Sequence, residues 1–251
     1  MTKMRKYIHI GLGVFWLGVT AWLFYNMQAH GLESSVMDSN EKVHVQRSSN
    51  AFIFTPAVDT MEAALIFYPG ALVDPKAYAP MAKAITEVGF KTIILALPYR
   101  MALFQSQQDN VFQRTLEYIE GDSLQRNWIV GGHSRGGKLA TLFARDHSNA
   151  LGGLLLVGTS HPRELDLSNL TIDVTKIYGS NDGLASEEEI ERFAINLPAH
   201  MHRERIAGGN HRQFGYYGYQ LGDGSAEISR QEQQDIMTLA IIKQLRRVRV
   251  R

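Results

Sequence analysis

From residue 42 onward, short apolar runs alternate with segments whose apolar residues recur at helical spacing. Residues 63–68 form an apolar run ending at Pro69-Gly70, and 91–97 form a second (Lys-Thr-Ile-Ile-Leu-Ala-Leu). Both predict buried strands. Segments 128–131, 153–157, 172–178 and 203–207 read as further strands, with 42–46 and 51–54 as an opening pair. Helices are expected over 76–88, 109–119, 136–146, 186–196 and 229–247. Ser186 caps the fourth, which carries acids in its first turn; Ser229 and Glu232 form a capping box at the start of the last. This alternation predicts an α/β fold: a mostly parallel central sheet with helices on both faces. No internal repeat or low-complexity tract interrupts it.

The first residues follow another pattern. Lys3, Arg5 and Lys6 precede an apolar run from Tyr7 to Met27, with no Asp, Glu, Lys or Arg before Glu33. About 20 residues at ~1.5 Å each cross a bilayer core of ~30 Å. Tyr7 and Tyr25 lie where interfacial anchors belong. An uncleaved transmembrane anchor is the leading reading. A cleaved signal is the alternative, although the run is long for one and Met27-Gln28-Ala29 is a weak match to a small-residue cleavage site. A helix of the soluble core is a third, but a surface helix would show a polar stripe. The expected organisation is an anchor over 1–27, a tether over 28–41 and a catalytic domain over 42–251. The basic N-terminal flank predicts a cytoplasmic N-terminus and an extracytoplasmic domain, or a secreted domain if the signal is cleaved.

Composition narrows the chemistry. The 251 residues are 45% hydrophobic, enough for one α/β domain with a short appendage. The formal net charge of +1 gives no global field for nucleic acid. There are no cysteines, which excludes disulfides, thiol catalysis, cysteine zinc sites and a lipoprotein anchor. Neither nucleic acid nor a metal is expected as a partner.

Three short segments carry the candidate chemistry. Gly132-His133-Ser134-Arg135-Gly136 satisfies G-x-S-x-G between an expected strand and an expected helix. Small residues must flank a serine on so sharp a turn. A glycine-rich phosphate turn is the bland reading, but the Lys-Ser/Thr of a P-loop is missing. Asp182 follows a strand end in Tyr-Gly-Ser-Asn-Asp-Gly. A turn aspartate is usually structural, yet Asp166 and Asp173 are worse placed to serve a site. His211 lies in Gly-Gly-Asn-His after the last strand. Among nine histidines, including the rivals His161, His200 and His202, it alone follows that strand through a glycine turn. A serine hydroxyl needs a histidine to take its proton and a carboxylate to hold that histidine. Ser134, Asp182 and His211 are therefore the expected catalytic residues. The Arg135 N–H after the nucleophile and the Ala71 N–H in Pro69-Gly70-Ala71 are the expected oxyanion donors.

The segments Phe67-Tyr68-Pro69-Gly70-Ala71-Leu72-Val73-Asp74 and Ala77-Tyr78-Ala79-Pro80, with Gly-Gly-His-Ser, Tyr-Gly-Ser-Asn-Asp-Gly and Gly-Gly-Asn-His-Arg-Gln-Phe-Gly-Tyr-Tyr-Gly, support a resemblance. The chain resembles the bacterial alpha/beta hydrolase fold-5 domain family, itself distantly similar to dienelactone hydrolases. The likeness runs from about Ala64 to the end. It implies the α/β-hydrolase fold, the triad Ser134, Asp182 and His211, no cofactor, and ester hydrolysis. The sequence departs from the family pattern at Arg135, at Lys138 and in the basic Pro98-Tyr99-Arg100, which bears on the pocket rather than the triad.

Only about 13 residues, 158–170, separate two expected strands where a lipase-type cap would be inserted, so an open site is expected. The glycine- and aromatic-rich stretch 213–225 is the one candidate cover; its plainer reading is a packed surface loop. Arg100, Arg135 and Arg212 follow strand ends or site residues and are weighed as receptors for an anionic group on the substrate. The plainer reading has them solvated or paired with Asp109 or Asp223. A serine ester hydrolase acting on a small-molecule ester is the expected function. Thioesterase, amidase or peptidase chemistry with the same triad, and a non-catalytic binding protein of the same fold, are the alternatives.

Overall fold

The computed structural model describes residues 3–58 and 61–248; the first two residues of the expected anchor and the last three of the expected domain fall outside it. Eight strands form one sheet in the order β1-β2-β4-β3-β5-β6-β7-β8. They are β1 (Val43–Arg47), β2 (Ala51–Pro56), β3 (Ala63–Tyr68), β4 (Lys91–Leu95), β5 (Asn127–His133), β6 (Gly153–Val157), β7 (Asp173–Gly179) and β8 (His202–Ile206). β1 and β2 enter antiparallel, and every neighbour pair from β4 to β8 is parallel.

The helices are α1 (Lys3–Asn26), α2 (Ala79–Glu87), α3 (Gln105–Glu120), α4 (Arg135–His147), α5 (Glu187–Arg192) and α6 (Arg230–Arg247). Successive side chains of a strand point to opposite faces, and β3 shows this clearly. Ala63, Leu65 and Phe67 join the core beneath α2 and α6, whereas Ala64, Ile66 and Tyr68 join the core beneath α3 and α4. The helix expected over 76–88 divides into a 3₁₀ turn, Pro75–Tyr78, and α2. Pro80 explains the break, since it has no N–H to extend a helix from the preceding turn and is tolerated only at the first turn of the new one.

α1 is a 24-residue helix, and Tyr7–Asn26 is long and apolar enough to cross a membrane. Apart from its last residue, Asn26, that span is not buried in the protein, unlike a core helix. Its last residues are built into the domain. The Asn26 carbonyl accepts the Gly218 N–H at 2.7 Å, and its side-chain oxygen accepts the Tyr219 N–H at 2.8 Å. The Asp74 N–H donates to the Met27 carbonyl at 2.8 Å. The stretch 28–41, expected as a tether, lies against the domain. Val36 and Met37 are buried in the α2/α6 core, and Lys83 Nζ donates to the carbonyls of Ser35 and Asp38. The sequence signal missed here was two apolar residues inside an otherwise polar stretch.

Candidate active site

β5 ends at His133 and α4 begins at Arg135, leaving Ser134 as the whole turn. Its backbone lies at φ 53°, ψ −114°, a region that costs a residue with a Cβ ~1–3 kcal/mol. The flanking glycines make room for the turn. A Cβ on Gly132 would stand 2.6 Å from the Tyr68 carbonyl oxygen, and one on Gly136 would overlap the same carbonyl. The Ser134 N–H is held by the Val157 carbonyl of β6 at 2.9 Å.

Asp182 follows β7 and His211 follows β8, so both lie at the carboxyl edge of the sheet with Ser134. The structure brings them into contact: His211 Nδ1 is 2.8 Å from Asp182 Oδ2 and 3.0 Å from Oδ1. Oδ1 also accepts the N–H groups of Leu184 and Ala185, both at 2.8 Å. A carboxylate that accepts two backbone N–H bonds sets the imidazole proton on Nδ1. The opposite nitrogen, Nε2, is buried and has no hydrogen-bond partner among the described residues, Ser134 included. Ser134 and His211 line one cavity of about 290 Å³. The loop carrying the histidine is braced from below. Asp223 accepts the N–H groups of His211 and Arg212 at 3.0 and 2.9 Å, and Gln233 accepts that of Asn210 at 3.0 Å.

Neither the Ala71 N–H nor the Arg135 N–H has an acceptor among the described residues. Both expected oxyanion donors are therefore unspent; Arg135 lines the cavity and Ala71 does not. The loop bearing Ala71 is pinned by a buried relay. The Gly70 N–H donates to Tyr78 Oη at 3.0 Å, and Tyr78 Oη stands 2.8 Å from His133 Nδ1. Burial and the neighbouring His211 hold His133 well below the ordinary histidine range, so it is neutral. Nδ1 then accepts the tyrosine proton.

The stretch 213–225 is packed rather than poised over the site: Phe214 and Tyr217 are buried, and its Asp223 serves the brace just described. The segment 158–172 contains no helix. Two of the expected anion receptors are elsewhere. Arg100 pairs with Asp74 at 3.4 Å, donates to Gln28 Oε1 at 3.2 Å, and lies over the Phe24 ring, none of them at the cavity. Arg212 does not line the cavity either. Arg135 does line it, but its guanidinium donates to the carbonyls of Met101 and Ala102 at 3.1 and 2.6 Å.

The basic residues at the cavity that sequence reasoning did not assign are the cations Lys138 and Arg163 and the imidazole of His161. Lys138 was visible as a departure from the family pattern; His161 was set aside as a rival histidine. No Asp or Glu lines the cavity among the described residues. Burial, with Lys138, Arg163, Lys176 and Arg135 nearby, pushes His161 down to about 4. Arg163 also binds Glu189 at 2.8 Å and Ser160 Oγ at 2.8 Å.

Residues 64–235 match the alpha/beta hydrolase family. No curated protein matches the chain in sequence. Three of the solved structures that share its fold illustrate the likeness. A CIB-like hydrolase from Thermoplasma acidophilum aligns with a TM-score of 0.61 at 12% identity, over 80% of this chain and 99% of its own. An arylesterase aligns with a TM-score of 0.58 at 15% identity, over 98% of each. A soluble variant of the monoglyceride lipase of Saccharomyces cerevisiae aligns with a TM-score of 0.61 at 9% identity, over 86% and 97%. At such identities the likeness is one of fold.

Proposed function

The chain belongs to the alpha/beta hydrolase family, and we propose that it is a serine hydrolase that cleaves a carboxylic ester through an acyl-enzyme. The observation that carries this reading is His211 itself. Its Nδ1 is engaged by Asp182 while its Nε2 is buried and unpartnered, and the residue lines a cavity with Ser134. An imidazole held in that tautomer presents a lone pair to the serine hydroxyl.

In this mechanism His211 Nε2 takes the Ser134 proton as Oγ attacks the ester carbonyl. The oxyanion that forms is met by the N–H groups of Ala71 and Arg135, donors of a kind worth ~3–4 kcal/mol each in the transition state. Collapse breaks the bond to the alcohol oxygen, which leaves with the proton from His211. Water then enters; His211 removes its proton, the acyl–Oγ bond breaks, and the acid is released with Ser134 reprotonated. Asp182 stays ionised throughout and stabilises the imidazolium.

The domain is proposed to act on the exported side of a membrane, held by α1. The basic flank supports this orientation. Retention of the helix is supported by the burial of Asn26 and Met27 against the domain, contacts that cleavage after Ala29 would remove. The test is a series of p-nitrophenyl esters of increasing chain length. The parent should turn over at least one of them, and Ser134→Ala should lower kcat by several orders of magnitude with folding unchanged. Equal turnover by parent and variant overturns the assignment.

A further inference from the structure

We propose that the mouth of the active site is docked on the bilayer interface, so that the enzyme takes its ester from the membrane: the substrate is an amphiphile whose apolar part lies in the lipid. The proposal rests on the membrane-anchor and ester-hydrolase readings above and adds where the site faces.

The first observation is the absence of slack between span and domain. The span runs to Asn26, and Asn26 is already hydrogen-bonded to Gly218 and Tyr219. Trp22, about one helical turn earlier, packs on the Tyr219 ring with centroids 5.7 Å apart. Phe24 lies 5.8 Å from the Arg100 guanidinium. Residues this close to the end of a ~30 Å span lie at headgroup depth, and so do the side chains they touch.

The second observation is which part of the domain they touch. Asp74 follows β3, Arg100 follows β4, and Tyr219 follows β8. All three loops leave the carboxyl edge of the sheet, where Ser134, Asp182 and His211 also lie. The link to the nucleophile is short. Arg100 and Met101 are adjacent, and the Met101 and Ala102 carbonyls accept the Arg135 guanidinium. The Arg100 carbonyl accepts the Leu72 N–H at 2.7 Å, next to Ala71.

The third observation is what these loops expose. Tyr99 is 86% exposed, Leu221 71% and Phe104 69%, with Leu72, Leu103 and Tyr219 also open. Single exposed apolar residues are ordinary, and this protein has others at the opposite edge, such as Leu124 and Val88 in the turns that precede β5 and β4. What distinguishes the carboxyl-edge group is continuity with the span. Aromatic rings with polar tips suit the headgroup region, and the exposed Tyr99 and Leu72 sit on backbones at positive φ, 51° and 64°. Leu184 carries the apolar surface to the cavity wall itself.

Because the chain has no cysteine, single reporters can be introduced cleanly. Full-length protein is reconstituted in phosphatidylcholine vesicles, with an environment-sensitive fluorophore on Tyr99→Cys, Phe104→Cys or Leu221→Cys, and on Val88→Cys and Leu124→Cys as references. A shallow nitroxide lipid should quench the first three strongly and the references little. Quenching at the collar no greater than at Leu124 overturns the docking. In the same vesicles, a Tyr99→Ser/Leu103→Ser/Phe104→Ser variant should hydrolyse a bilayer-borne long-chain ester with kcat/KM about tenfold lower, equivalent to ~1.4 kcal/mol, and a soluble acetate ester as the parent does. Equal loss on both esters overturns delivery from the membrane. No hydrolysis of either ester by the parent, with the collar quenched, refutes the ester-hydrolase reading and leaves the docking supported.

Discussion

The Tyr78 hydroxyl joins the loop after β3 to the nucleophile turn: it accepts the Gly70 N–H at 3.0 Å and donates to His133 Nδ1 at 2.8 Å. Tyr78→Phe would strand a buried N–H and a buried imidazole nitrogen, each costing about 1–3 kcal/mol. Thermal unfolding should shift down by several degrees. Because Ala71 is the next residue after Gly70, kcat should fall while KM changes little; a purely structural role would leave kcat intact below the melting range.

Asp182→Asn keeps the shape of the site but reverses its protons. The amide oxygen can still accept from Leu184 and Ala185, which turns the NH₂ toward His211 Nδ1 and leaves the proton on Nε2. The base is then blocked, and kcat should fall about 10⁴-fold, the loss that triad chemistry sets for a wrong tautomer. Steady-state kinetics beside a denaturant titration would separate this from unfolding.

The cavity's basic lining predicts a preference in charge. Esters carrying a carboxylate near the scissile bond should show higher kcat/KM than neutral ones, and the advantage should shrink as salt rises. Lys138→Ala should reduce it several-fold, an effect of about 1 kcal/mol. Arg100→Ala and Arg212→Ala should leave it alone, since neither residue lines the cavity.

Stability should depend on pH through Lys176. Burial, and then Arg203, pushes this lysine of β7 down to about 7, and its Nζ donates to the His161 carbonyl at 2.8 Å. Between about pH 7 and the ordinary lysine value the unfolded chain holds a proton that the native chain does not. Native stability therefore rises with pH across that window. The stability of Lys176→Met minus that of the parent should be greatest at pH 7 and below, and should shrink by pH 10. On the acid side, His133 and His161 stay neutral in the native protein while the unfolded chain protonates below about 6.5. Acidification toward pH 4 should destabilise the parent accordingly.

The sheet was legible in the sequence because buried parallel strands leave unbroken apolar runs: 63–68 and 153–157 coincide with β3 and β6. The carboxyl-edge position of Ser134, Asp182 and His211 was readable too, since a strand end followed by glycine and turn residues marks that edge. Side-chain direction was not. Arg100, Arg135 and Arg212 share the edge, but only Arg135 reaches the cavity, while Lys138 and Arg163 come to it from α4 and the β6–β7 loop. Spacing along a chain places a residue on an edge; which way it leans depends on partners such as Asp74 and Gln28 of Arg100, which lie dozens of residues away. The docking of 28–41 was hidden for the same reason, being carried mostly by contacts with α2 and the loop after β8.

The central claim is that Ser134 is a nucleophile made reactive by His211 and Asp182. It is tested most directly by treating the full-length protein with a fluorophosphonate and locating the adduct by peptide mass spectrometry. The account predicts one stoichiometric adduct, on the peptide containing Ser134, formed far more slowly in His211→Ala and absent in Ser134→Ala. Labelling of another residue, or labelling of Ser134 at the same rate without His211, would contradict it.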